Sequence, residues 1–127
     1  MAQLETIESL RSCADEDLWI AELIRKTDDE KTRTICFHLQ QYVEKSIKAK
    51  LCELNISYPK KHDIVSLLEL FNDKELLDKH LKNAADLTDY ATAFRYSLRI
   101  PSIDEMESAF TVAKAMVEDI QQIKEKN

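Results

Sequence analysis

The sequence predicts an all-α protein. It reads as an up-and-down bundle of four long helices, with one short extra helix between the second and the fourth in chain order. Three observations predict this. First, the 127 residues include no glycine and only two prolines, Pro59 and Pro101, so two-residue hairpins built on Asn-Gly or Gly-X lack their residues. Second, 44% of the chain is hydrophobic and 33% is charged, more charge than the average of roughly 25% together with enough apolar material for a core. Third, apolar residues recur every three or four positions, and no alternating polar/apolar run competes with them.

The first helix spans roughly 3–25, with Leu4, Ile7, Leu10, Ala14, Leu18, Ala21 and Ile24 on one stripe and Trp19 off it. Thr27-Asp28-Asp29-Glu30 offers caps and first-turn acids for the next helix, because negative charge suits the positive end of a helix dipole. That second helix, roughly 30–54, carries Ile35, Leu39, Tyr42, Val43, Ile47, Leu51 and Leu54 inward. The run Asn55 to Pro59 ends it, since proline cannot continue the ladder. A short helix at about 62–71 follows, with Ile64, Leu67, Leu68 and Phe71 inward and His62 expected as its cap, Asp63 lying in the first turn. Asn72 with Glu75 suggests a capping box for a fourth helix over about 73–97, with Leu77, Leu81, Ala84, Leu87, Ala91, Phe94 and Leu98 as its stripe. Ser102 with Glu105 is a second capping box, opening a last helix to about 125 on Ile103, Met106, Phe110, Ala113, Val117, Ile120 and Ile123. With no glycine to close them, helices end elsewhere, and Asn55 and Asn72 are expected to take positive φ.

A single domain over 1–127 is expected, with no internal repeat and no linker. Several functions are excluded at once. P-loops, Rossmann turns and nucleophile elbows all need glycine. No histidine has a glutamate three positions before it, and no paired-cysteine spacing occurs, so no metal and no cofactor is expected. Cys13, Cys36 and Cys52 read as reduced thiols. The N-terminus lacks the marks of a signal peptide and no window approaches ~18 apolar residues, so a cytoplasmic protein without membrane contact is expected. A net charge of −6 argues against general affinity for nucleic acid but leaves room for a local basic patch. Such a patch is found in Lys45, Lys48, Lys50, Lys60, Lys61 and His62, with Arg95, Tyr96 and Arg99 near the end of the fourth helix. If the second and fourth helices run parallel, both groups share one end of the bundle. Lysine would act there as a point charge and arginine as a bidentate phosphate ligand.

The run Phe37-His38-Leu39-Gln40-Gln41-Tyr42-Val43-Glu44-Lys45-Ser46-Ile47-Lys48-Ala49-Lys50-Leu51 resembles the second-helix signature of the HEPN family (higher eukaryotes and prokaryotes nucleotide-binding domain). Lys61-His62-Asp63-Ile64, Tyr90 with Arg95-Tyr96, and the alanines of the last helix extend the resemblance over nearly the whole chain. Ser97 departs from it, standing where the family often has proline. The resemblance implies a helical bundle, commonly a homodimer, acting beside a nucleotidyltransferase chain or on nucleotide or RNA in toxin–antitoxin and defence systems. It also implies that ribonuclease members use an Arg-x(4–6)-His motif. Here only Arg33 and His38 fit that spacing. Five helical residues set them roughly 140° apart, so they do not share a face, and the fit reads as coincidence. Three functions follow as expectations. The first is a non-catalytic binding module using Lys45, Lys48, His62, Arg95 and Tyr96. The second is a metal-independent ribonuclease toxin with His38 as acid/base and Arg33 on the phosphate. The third is a purely structural dimer subunit.

Overall fold

In the computed structural model the described residues are 2–96 and 100–124, with side chains described for 6–91 and 100–124, and they contain helices and no strand. The helices are α1 (Ala2–Thr27), α2 (Thr32–Glu53), α3 (Ile64–Glu69), α4 (Lys74–Tyr96) and α5 (Ile103–Gln121). The expected four long helices and one short helix are all present, and their ends lie within a few residues of the sequence reading.

The ends show why each helix stops. Asn55 and Asn72 have φ of 59° and 54°, the left-handed conformation expected of them. At α2 the Asn55 N–H donates to the Cys52 carbonyl and the Ile56 N–H to the Leu51 carbonyl, which is the Schellman pattern. Asparagine thus takes glycine's place, and α2 stops well before Pro59. The Ser102–Glu105 capping box is present in both directions. Three expected starts need correction. The acids before α2 do not cap it: its N-cap is Lys31, with no side-chain bond, and the Asp28 carboxylate instead accepts from the Glu30 N–H. The cap of α3 is Asp63, not His62, and Asp63 accepts from the Val65 N–H. The cap of α4 is Asp73, which accepts from the Leu76 N–H, rather than the Asn72–Glu75 pair, because Asn72 is already spent on the left-handed turn.

The core centres on α2, which packs against α1, α3, α4 and α5. Ile35, Leu39, Val43, Ile47 and Leu51 have no exposed surface, and each such burial stabilises by roughly 1.5–3 kcal/mol relative to exposure. The expected stripes of α2 and α5 are buried, apart from the half-buried Leu54 and Ile123 at their ends and Ile103, which is exposed. The stripe of α4 is rotated at its start. Leu81 is exposed, while Leu76 and His80 are buried ahead of Ala84, Leu87 and Tyr90. The expected Phe94 and Leu98 contacts lie outside the described side chains.

Side-chain contacts fix the direction of each helix. Asp17 meets His38 and Lys45, and Arg11 meets Glu53, so α1 and α2 are antiparallel. Thr32 donates to the Pro101 carbonyl and Lys50 to the Gln121 carbonyl, so α2 and α5 are parallel. His80 meets Asp119, so α4 opposes α5 and therefore opposes α2. The parallel α2 and α4 under which the two basic groups would share one end are therefore not what the fold has. The extended segment 56–63 makes the return climb instead, laying His62 beside Gln40 and Glu44. Then α3 descends and α4 climbs again. The end of α4 consequently lies with the start of α2, away from Lys48 and Lys50.

Candidate functional site

Three carboxylates gather the polar side chains of this fold. The most enclosed is Glu44, 3% exposed in the middle of α2. Its Oε1 accepts from Gln40 Nε2 at 2.9 Å. Its Oε2 accepts from Lys48 Nζ at 3.0 Å and from His62 Nδ1 at 2.9 Å. Gln40 also donates to the His62 carbonyl, and Gln41 donates to Gln40 Oε1 at 2.7 Å. The i,i+4 spacing of Gln40, Glu44 and Lys48 stacks them on one face of α2, and the segment 56–63 brings His62 to them from outside. The His62 side chain is 73% exposed. Lys60 and Lys61, which precede it in the chain, are exposed as well, and Lys61 lines a shallow pocket with Ser66 and Glu69.

The second carboxylate, Asp17 of α1, is 6% exposed. His38 Nδ1 lies 2.8 Å from its Oδ1 and Lys45 Nζ 2.6 Å from its Oδ2. His38 therefore packs across to α1, with its ring edge-on to Phe37. Arg33 sits half-buried five residues earlier on α2, and the imidazole bonds to Asp17. The third carboxylate, Asp119 of α5, accepts from Lys79 at 2.7 Å and from His80 at 2.8 Å. The Lys79 ammonium, then the His80 ring, hold its carboxyl below the usual range.

A half-open cleft of about 290 Å³ lies where α1, α2 and α5 meet, lined by Arg11, Tyr42, Ser46, Lys50 and Glu53 among others. Glu53 neutralises both cations, at 2.8 Å from Arg11 and 3.4 Å from Lys50. Burial, then the charges of Asp15 and Glu22, push the Tyr42 hydroxyl up. On the opposite side of α2, Tyr58 covers Cys52, with its hydroxyl 3.6 Å from Sγ and Lys48 Nζ 5.8 Å from its ring centre. Burial first, then the hydrogen bond to Cys52 and its charge, push the Tyr58 hydroxyl to about 12.

Of the residues singled out in the sequence, Lys48 and His62 converge on Glu44. Lys45 and His38 converge on Asp17. Tyr96 and Arg95 lie in α4, but their side chains are outside the described residues, as is all of Arg99. Sequence reasoning missed Asp17, Gln40 and His80 as buried polar groups. For Asp17 a signal existed, since it sits between Ala14 and Ala21 on the apolar face of α1. Among the described residues no helix is long and apolar enough to cross a membrane.

Comparison with known proteins adds one positive finding. The family model described as HEPN domain matches residues 7–123. Among curated proteins and among solved structures no match is found.

Proposed function

The chain belongs to the HEPN domain family, and from that premise we propose that it is a non-catalytic binding module. In this reading it forms a homodimer and holds a phosphate-bearing ligand, a nucleotide or RNA, or seats a nucleotidyltransferase-type partner chain, in a toxin–antitoxin or defence setting. One observation carries the reading. Lys48 and His62 meet the buried carboxylate of Glu44, and the exposed Lys60 and Lys61 directly precede His62 in the chain, which concentrates positive charge on one edge of an acidic protein. Lysines there act as point charges toward phosphate, and His62 projects from the same edge. Lys45, although tied to Asp17, remains a candidate for the same ligand, and Arg95 with Tyr96, at the far end of α4, for one as long as an RNA strand.

A titration of a short fluorescent RNA and of ATP tests this. Binding should weaken at least about tenfold when Lys60 and Lys61 are both changed to alanine, and should fall steeply with salt. Both substitutions are at exposed positions and leave the fold intact. Unchanged binding in the double variant removes this surface from the reading.

The second reading is a ribonuclease. It is favoured by Asp17 bonded to Nδ1 of His38, an arrangement that orients an imidazole for acid/base work at Nε2. Arg33 would then stabilise the phosphate. Chelator-resistant RNA cleavage that disappears in His38→Ala would put this reading first. No cleavage and no ligand binding would leave a structural dimer subunit.

A further inference from the structure

The outward face of α1 carries an order of residues that its burial does not explain. Ile7, Ala14 and Ala21 are its buried stripe. At 100° per residue, Trp19 and Leu23 each lie about 160° round the helix from Ala21. They are 63% and 46% exposed, and at i,i+4 spacing they form one apolar patch. Glu16 stands three residues before Trp19 and Lys26 three residues after Leu23, both exposed, and neither is in an ion pair among the described residues. The face therefore reads acid, aromatic, aliphatic, base, at spacings of three, four and three.

That order is complementary to its own reverse. A second α1 laid antiparallel, with a twofold axis at the level of Ala21, sets Trp19 against the partner's Leu23 and Glu16 against the partner's Lys26. Symmetry repeats each contact. The flanking positions add no conflict, since Asp15 then opposes the partner's Thr27 and Ser12 the partner's Glu30, with no like charges face to face. We propose that this face is the surface on which a second copy of the chain docks. The proposal rests on the homodimer expected above and goes further by naming its interface. A two-helix contact falls at the small end of interface sizes, so association is expected at micromolar concentration.

Sedimentation of the full chain over about 1–100 µM tests it, with tryptophan emission read on the same samples. Trp19 is the sole tryptophan, so its emission should move to shorter wavelength as dimer forms. Trp19→Asp and Leu23→Asp should each weaken dimerisation at least about tenfold. Glu16→Lys alone should weaken it about tenfold, because two attractive pairs become repulsive, and Glu16→Lys with Lys26→Glu should restore it to within about threefold. All four positions are exposed, and helix content by circular dichroism should stay unchanged. A dimer indifferent to these changes overturns the α1 surface and leaves the homodimer standing. A monomer throughout the concentration range overturns both.

Discussion

At the scale of single residues, Glu44 shows how a buried charge is tolerated. Its carboxylate is 3% exposed and takes three donors. Its partners differ in what they lose without it. Gln40 is 1% exposed and has little access to water, whereas His62 is largely exposed and returns to solvent at no cost. Glu44→Ala should therefore cost about 1–3 kcal/mol in urea unfolding, and His62→Ala under about 1 kcal/mol. Equal losses would contradict this picture of the cluster. Tyr58 gives a test by pH. Its hydroxyl is raised to about 12 against an unperturbed value of about 10. The folded state thus keeps a proton that the unfolded state releases, so stability is full below about pH 10 and falls as pH rises toward 12. Tyrosinate absorbance should show late ionisation, of which Tyr58→Phe removes one tyrosine's share while the raised Tyr42 keeps its own; ionisation of all four tyrosines near pH 10 would refute it. Part of this cluster was legible in the chain, because Glu44 and Lys48 stand four apart. The approach of His62 was not, since it comes from 18 residues away on an extended segment that carries no periodic signal.

At the scale of elements, the left-handed stops of α2 and α3 were more legible than helix starts or helix faces. Where one residue must adopt a conformation that few others accept, composition points to it: a chain without glycine places asparagine at both positive-φ sites among the described residues. Asn55→Ala should accordingly cost about 1–2 kcal/mol, and Asn55→Gly almost nothing. Equal stability of the two variants in thermal melts would show that the left-handed residue does not matter. Likewise Ser102→Ala should cost about 1 kcal/mol, through loss of the bond from the Glu105 N–H. Faces are harder to read because burial depends on what lies opposite. Leu81 looks like a core residue and is exposed, while His80 looks like a surface residue and is 3% exposed. The reason is Asp119 of α5, 2.8 Å away and 39 positions along the chain. The direction of α4 was illegible for a related reason. It depends on which segment makes the return climb, and sequence spacing alone does not distinguish a short helix from an extended one.

At the scale of the whole molecule, α2 is an axle rather than one of four equal staves. It touches each of the other helices, and buried residues occur all round it, from Ile35 and Leu39 to Gln40, Glu44 and Lys50. By contrast, α1 lies along α2 and reaches α5 through long side chains: Arg25 to Glu107 at 3.2 Å, Arg25 over the Phe110 ring at 3.9 Å, and Lys114 to Glu22 at 3.6 Å. Exposed pairs of this kind contribute little, about 0–1 kcal/mol each. Local opening should follow this inequality, since regions with fewer buried apolar contacts open at lower free energy. Hydrogen exchange should find the slowest amides in the middle of α2, between Leu39 and Leu51, with exchange there tracking global unfolding. The α1 amides should exchange faster, through an opening in which α1 lifts off while α2 to α5 stay packed. If α1 and α2 exchange at the same rates at low denaturant, the bundle opens as one unit and α1 is more firmly held than its contacts imply. If concentration selectively slows α1, the added protection comes from a second copy covering its outer face, and Trp19→Asp should remove it.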